Sequence, residues 1–436
     1  MVRTVFRSAS VLVGATLLAA GLAVTNVTGG AGRASAEPCG NGGNSSMGSS
    51  GIGSLGAGQP PLGPQRPLLP YVGANTNTVS WLTGPLSANR TFTRFAISGT
   101  DLGISWDNGS GQTLMAFGDT FGDCSVSGQQ WRHNVLLRTN DTNMADGISV
   151  PDALADRSDS GSSVSGDAPT VARQLIPALG LNTVEVTAIP TAAIALPRPG
   201  GGYRQYINYM SVRLWGSTGN WLTNFSAIAH SDDNGQHWVT DMNTILVNAP
   251  VSLRLPGDIP AVEPNNGKFQ QSAYVRGHGA DGDYVYQFGT PNGRFGAGFL
   301  ARFHPQDILD LGKYQYWAGT GRGWVNSIAA VPDDGSAIVV RAPVTELSVA
   351  WSPYLNKYLM LDGDNGIRMR TADHPEGPWS APTYLVPPGA LVLYGPMLQP
   401  HSPALQGSGK DLYFNASRWS DYNVMLLHTD LSKLPH

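Results

Sequence analysis

The chain reads as a succession of strand–turn–strand phrases: an apolar run, a turn built from Gly, Asn, Asp or Lys, and a second apolar run with small residues. Helical spacing is confined to two short candidates, ALADRSDS (153–160) and VARQLIPALG (171–180). Five strand–turn–strand units can be marked. The first is FAISGTDLGISWDNGSGQTLMAFGDTF, continued by WRHNVLLRTND. In the second, TVEVTAIPTAAIAL and QYINYMSVRLWG lead to NFSAIAHSDDNGQHWV. The third is SAYVRGHGADGDYVYQFGTPNGRFGAGFLARF, and the fourth ELSVAWSPYLNKYLMLDGDNGIRMRTADHPEGPWSAP. HSPALQGSGKDLYFNASRWSDYNVMLLHTDL is the fifth. A spacing of roughly 50 to 80 residues with about four strands per unit is what a β-propeller needs. The expected class is therefore all-β. Because the units are not close copies, a pair of β-sandwiches is the alternative.

The stretch Ser231 to Trp238, SDDNGQHW, fits the S-x-D-x-G-x-x-W "Asp box" of propeller blade turns. Thr371-Ala372-Asp373 with Gly377, Pro378 and Trp379 is a looser relative. The Asp of such a box bonds its own turn and the Trp packs between strands, so both boxes bear on the fold rather than on a substrate. Asp362-Gly363-Asp364-Asn365-Gly366 lacks the spacing and closing Glu of a calcium loop and reads as a turn.

The N-terminal segment has its own pattern. Arg3 and Arg7 precede the apolar run Val11 to Val24, and Ala34-Ser35-Ala36 completes a secretory signal with an A-x-A cleavage site. An uncleaved anchor is the alternative. No later segment is apolar for long enough to cross a bilayer, so residues 1–36 are expected to be removed and the protein exported. Residues 37–66 form a Gly/Ser/Pro linker, and 67–436 are expected to be one propeller domain. Of the two cysteines, Cys39 lies in that linker and Cys124 just past FGDTF. In an exported chain they are expected to pair, two independent thiols being the alternative.

Composition narrows the chemistry. Charged residues are 13% of the 436, with a net charge of −4, so nothing suggests a nucleic-acid partner. The 11 Trp and 15 Tyr leave aromatic surface for flat ligands such as sugars. No Cys/His grouping has metal-ligand spacing, and no cofactor is expected. A monomer is expected.

In so weakly charged a chain, the two acidic phrases GTDLG and FGDTF stand out. Taken as antiparallel strands around WDNGSGQ, they place Asp101 and Asp119 at the same end of a hairpin whose midpoint is residue 110. Directly opposed residues have Cβ atoms about 4.5–5.5 Å apart. Two carboxylates that close resist joint ionisation, and one protonated acid beside one carboxylate is the equipment for glycosidic cleavage. Gly99, Gly103 and Gly118 would admit a ligand, with Trp106, Phe117 and Phe121 packed against it. The plainer reading is that both acids bond turn amides at the open end of the hairpin.

GTDLG, MAFGDTF, WRHNVLLRTND, INYMSVRLWG, VTELSVAWSP and HSPAL together resemble exported actinobacterial endo-D-arabinofuranases (endo-D-arabinanases), a family first catalogued as a domain of unknown function. The likeness runs from about Leu68 to His436 in the same motif order. It implies a five-bladed propeller that cleaves internal α-linkages of the D-arabinan in arabinogalactan and lipoarabinomannan, with Asp101 and Asp119 as the catalytic pair. The insert around Asp152 to Asp167 has no counterpart in the resemblance.

Glu346, at the start of an apolar strand, is a candidate third acid that positions a sugar hydroxyl or tunes a catalytic pKa; the alternative is a strand-end salt bridge. Arg213, inside a strand, could hold a carboxylate or bond sugar hydroxyls. Trp106, Trp215, Tyr209, Gln271 and His401 are further candidates for lining the cleft. The flanking Phe117 and Phe121 favour Asp119 as the general acid. Carboxylate separation, roughly 6.5–9.5 Å against about 5–5.5 Å, would decide between inversion and retention. A non-catalytic wall-binding propeller and an exo-acting glycosidase are the competing functions.

Overall fold

Thr113–Phe117 is buried at every position. Leu114 and Ala116 pack with the sheet that follows, Met115 and Phe117 with the sheet at the end of the chain. Strands buried on both faces read as continuous apolar runs, which is why alternation is weak along this sequence.

The structure, a computed structural model, describes residues 65–179, 184–249, 262–363 and 365–434. After β1 (Thr76–Trp81), the first blade is β2 (Leu102–Asp107), β3 (Thr113–Phe117) and β4 (Val135–Thr139). The second is β5 (Thr187–Pro197), β6 (Tyr203–Trp215), β7 (Trp221–Ser231) and β8 (Val239–Val247). The third begins with β9 (Gln271–Arg276), β10 (Val285–Thr290) and β11 (Gly296–Phe303). It continues through β12 (Gln315–Trp317) and β13 (Trp324–Val325), with β14 (Val340–Val344) also paired to β11. The fourth is β15 (Leu347–Ser352), β16 (Lys357–Asp362), β17 (Ile367–Ala372) and β18 (Thr383–Val386). β19 (Leu393–Leu398), β20 (Asp411–Arg418) and β21 (Asn423–Asp430) make the fifth, and β1 joins it at the outer edge.

The innermost strands β2, β5, β9, β15 and β19 each touch the next, and β19 touches β2, which closes a ring. Apolar clusters fill the wedges between blades, and a further cluster of Leu102, Ile104, Ile189, Met210, Val212, Trp221 and Met397 lies at the centre. This is a five-bladed β-propeller; the paired-sandwich alternative does not hold. β1 pairs with β21 from Thr76↔Thr429 to Trp81↔Met425, so strands from both ends of the described chain share the last blade and lock the ring.

Several expectations need correction. ALADRSDS and VARQLIPALG form turns rather than helices over their described residues. The α-helices are instead the short Thr91–Phe95 and Pro403–Gln406. The second lies in HSPALQ, where Pro403 starts it and Gly407 (φ 74°) stops it. β1 and β19 were not marked as strands. β19 carries Gly395 and Pro396, residues that signal a turn, and they are accommodated by a bulge between Tyr394 and Met397. The fold also starts earlier than residue 67. Gln65 Nε2 donates to the Thr83 carbonyl at 2.8 Å, and the Arg66 N–H donates to Asp421 at 2.8 Å. Residues 1–64, including the expected signal, Cys39 and most of the linker, lie outside the described residues.

The polar 152–167 insert has a structural role. The first blade has three strands, and the insert covers β4 through the Leu137↔Ser162 bridge and the Arg138 N–H to Gly161 carbonyl bond. An otherwise open sheet edge is thereby protected. The Asp box behaves as its sequence suggests: Asp233 Oδ1 accepts from the Gln236 N–H (3.1 Å), the His237 N–H (2.9 Å) and Ser231 Oγ (2.8 Å). Trp238 is buried between the first two blades. Asp362 is fully buried and paired with Arg368 and Arg370, each at 2.6 Å. No helix among the described residues is long and apolar enough to cross a membrane.

Candidate active site

The hairpin of β2 and β3 closes around residue 110, with Asp107 facing Thr113 and Ile104 facing Ala116. Between Ile104 and Leu102 the register slips by one, so that Leu102 faces Phe117. Leu102 (φ 69°) and Gly103 (φ 76°) are both left-handed there. That conformation is unusual for a branched side chain and costs of order 1 kcal/mol or more. Ser417 Oγ holds it by accepting the Leu102 N–H at 2.8 Å. The bulge changes the predicted opposition of the two acids. Asp101 stands across from Gly118, whose N–H donates to the Asp101 carbonyl at 3.2 Å, and Asp119 is one residue beyond. Bulges also interrupt β5 between Pro190 and Ala192 and β19 between Tyr394 and Met397. Three of the five inner strands are therefore re-aimed at the same end of the ring.

Asp101 and Asp119 line one pocket at that end, and every blade contributes to it. Asp101 Oδ2 accepts the Tyr394 hydroxyl at 3.0 Å, while the buried Oδ1 has no hydrogen-bond partner among the described residues. Burial, reinforced by the charges of Asp119 and Glu346, raises the Asp101 pKa to about 8; the Tyr394 hydroxyl and Arg294 oppose the shift without cancelling it. Asp119 has a different setting. Thr187 Oγ1 donates to its Oδ1 at 2.5 Å, and Tyr422 donates to its carbonyl at 3.1 Å. The flanking phenylalanines do not decide the matter: Phe117 is buried in the wedge between the first and last blades, and Phe121 packs edge-on to Tyr422.

Glu346 lies in the same pocket, in a buried bidentate ion pair with Arg294 at 3.0 and 2.5 Å. Glu346 therefore forms a strand-end salt bridge, and its charge is one contribution to the raised Asp101 pKa. Arg294 is held in an aromatic cage, its guanidinium 5.4 Å from the Trp221 ring, 5.0 Å from Tyr394 and 4.7 Å from Trp419. The void beside the acids is narrow, about 60 Å³, room for a few water molecules. A second, larger void of about 540 Å³ lies toward Trp106, Asp107 and Arg276.

The other sequence candidates divide. Trp215 lines the pocket and packs edge-on to Trp221 at 5.7 Å. Gln271 also lines it, with Nε2 committed to Thr290, Pro291 and Gly293 and the buried Oε1 without a partner among the described residues. Arg213 does not line the pocket; it sits where β6 slips register against β7 between Val212 and Leu214. Trp106 is buried between the first two blades and donates to Gln205 at 2.8 Å, and Tyr209 is buried in the same wedge. His401 lies 3.6 Å from Asp107, at the far end of β2 from Asp101. These four are placed elsewhere because strand alternation and strand length, which local sequence leaves open, carry them away from the acids. Cys124 is half-buried, and its expected partner Cys39 is outside the described residues. Among the described residues no three or more His, Cys, Asp or Glu side chains are placed to hold a metal ion.

Arg294, Tyr394, Trp419, Tyr422 and Thr187 were missed. Arg294 lies in a PNGRFG turn and Trp419 in an SRWSDY turn, where an isolated Arg or Trp carries no periodic signal.

Residues 86–428 match the protein family described as "Domain of unknown function (DUF4185)". The chain is 28% identical over 346 residues to notoamide biosynthesis cluster protein J of Aspergillus sp. (strain MF297-2), covering 75% of this chain and 81% of that protein. Among solved structures it is similar to the Bacillus subtilis arabinanase Arb43A, with 13% identity, a TM-score of 0.39 and coverage of 76% of this chain and 96% of that one. It is also similar to the catalytic domain of the Coprinopsis cinerea GH62 alpha-L-arabinofuranosidase, with 13% identity, a TM-score of 0.42 and coverage of 83% and 99%.

Proposed function

The chain belongs to the DUF4185 family, and we propose that it is an exported glycoside hydrolase that cleaves internal α-D-arabinofuranosyl linkages of cell-wall arabinan. One observation carries the reading. A carboxyl group whose pKa is raised to about 8 shares an aromatic-lined pocket with a second carboxylate that accepts a hydroxyl hydrogen bond. That pairing supplies a proton donor and a proton acceptor at neutral pH. The choice of arabinan rests on the resemblance of the GTDLG, MAFGDTF and accompanying motifs to endo-D-arabinofuranases. The exported location follows from the reading of residues 1–36 as a secretory signal.

In this mechanism Asp101 is the general acid and Asp119 the base, the reverse of the assignment suggested by the neighbouring phenylalanines. Asp101 gives its proton to the departing sugar oxygen as the glycosidic bond breaks. Asp119 takes a proton from the water whose oxygen bonds to the anomeric carbon. Trp215 and Trp221 offer ring faces and edges to the sugar, and the free Oε1 of Gln271 accepts from a sugar hydroxyl. The Arg294–Glu346 pair fixes the charge around Asp101.

The second reading is an exo-acting enzyme that admits only a chain end. Digestion of purified arabinogalactan, with product chromatography and Asp101→Asn and Asp119→Asn controls, separates the two. A ladder of arabinose oligosaccharides from wild type alone supports internal cleavage. A single small product supports the exo reading, and binding without release would leave a carbohydrate-binding propeller.

A further inference from the structure

The carboxylate of Asp119 is gripped from the second blade. Thr187 opens β5, is fully buried, and places its hydroxyl 2.5 Å from Asp119 Oδ1. An ionised carboxylate only accepts, so the hydroxyl hydrogen points at Asp119. On its other side Thr187 Oγ1 lies 3.2 Å from His133 Nδ1. The Ala188 N–H donates to that same ring nitrogen at 3.1 Å. A backbone N–H cannot face another N–H, so Nδ1 is an acceptor and the neutral ring carries its hydrogen on Nε2. His133 is itself fixed: its N–H donates to Gln174 Oε1 at 3.1 Å, and its ring lies 4.4 Å from Trp131.

We propose that Thr187 is a positioning residue for Asp119, backed by His133, and that this chain serves the carboxylate both before and after it takes up a proton. The inference rests on the reading of Asp119 as the base of a hydrolase. Before the reaction the Thr187 hydroxyl donates to Oδ1 and holds the carboxylate in orientation. During the reaction one O–H bond of water breaks and its proton passes to Asp119, while the water oxygen bonds to the anomeric carbon. The glycosidic C–O bond breaks, and its oxygen takes the Asp101 proton. Where the new proton resides on Asp119 Oδ1, that oxygen becomes a donor to Thr187 Oγ1, and the Thr187 hydrogen turns to His133 Nδ1. The exchange needs rotation about one C–O bond and no movement of heavy atoms.

The test uses the mature protein with purified arabinogalactan and compares wild type, Thr187→Val, Thr187→Ala and Thr187→Ser, with Asp119→Asn as the inactive control. Removal of the hydroxyl is expected to lower kcat roughly 10- to 100-fold with KM within about twofold of wild type. Thr187→Ser is expected to recover kcat to within about threefold, because it restores the donor. Thermal unfolding of each variant separates loss of the site from loss of the fold; if the valine variant unfolds early, the alanine variant carries the comparison. Wild-type kcat in a folded valine or alanine variant overturns the inference while leaving the hydrolase intact. A serine variant as slow as the alanine variant also overturns it. A wild type that releases nothing removes the hydrolase reading beneath it.

Discussion

Asp101 faces Gly118 across the first hairpin, and a Cβ at position 118 would lie 2.4 Å from Asp101 Oδ1. The bulge at Leu102 and Gly103 creates this pairing, and glycine is the residue that leaves the carboxyl its place. Gly118→Ala is therefore expected to push the Asp101 side chain out of line. Because the displaced atom ends a side chain, the fold should survive with a small change in Tm, while kcat falls by about 100-fold. Steady-state kinetics beside thermal unfolding checks both halves.

The raised pKa of Asp101 sets the pH response. Its carboxyl must be protonated to act as the acid, so the rate should fall as pH rises through about 8. Tyr394 favours the ionised form, and Tyr394→Phe is expected to move that fall to higher pH. A pH–rate profile of the two proteins is the measurement.

Stability should respond with a definite sign. The folded-state pKa of Asp101 lies above its ordinary value of 3.8, so the folded protein holds a proton that the unfolded chain has released. Its contribution is present in full below about pH 4 and is lost as pH rises through about 8. Asp101→Asn removes this dependence and should stabilise the protein relative to wild type at pH 8, by on the order of a few kcal/mol at most. Unfolding curves from pH 4 to 9 would reveal it.

Arg294 is buried and Glu346 nearly so, and breaking the pair from one side strands a charge. Arg294→Met or Glu346→Met alone is expected to cost about 3–5 kcal/mol, and the double replacement markedly less than the sum. Denaturant titration of the three variants forms the cycle.

Asp233 lies at the opposite end of β7 from Trp221 and bonds only its own turn and neighbouring His237 and Ser231. Asp233→Ala should lower stability by about 1–2 kcal/mol and leave kcat unchanged. A change in kcat without a change in stability would connect this turn to the site.

Much of the fold was legible because its signals are local. Apolar runs, glycine-bearing turns and the SDDNGQHW box are properties of a few adjacent residues, and they marked the five units. β1 and β19 escaped notice for the converse reason: TNTVSW has no neighbouring hairpin partner, being paired with β21 some 350 residues away, and LYGPML carries turn-forming residues inside a strand.

The sequence by itself determined that two acids, 18 residues apart about a hairpin turn, lie at one end of a β unit. Only the tertiary structure decided what each acid experiences. A left-handed step at Leu102 and Gly103 offsets them, and burial, with the charges of Asp119 and Glu346 added, raises the pKa of Asp101. Thr187 reaches Asp119 from another blade. Strand periodicity is written in neighbouring residues, whereas desolvation and charge at the ring's centre sum contributions from five strands scattered along the chain. That sum exists only once β1 has closed the ring against β21.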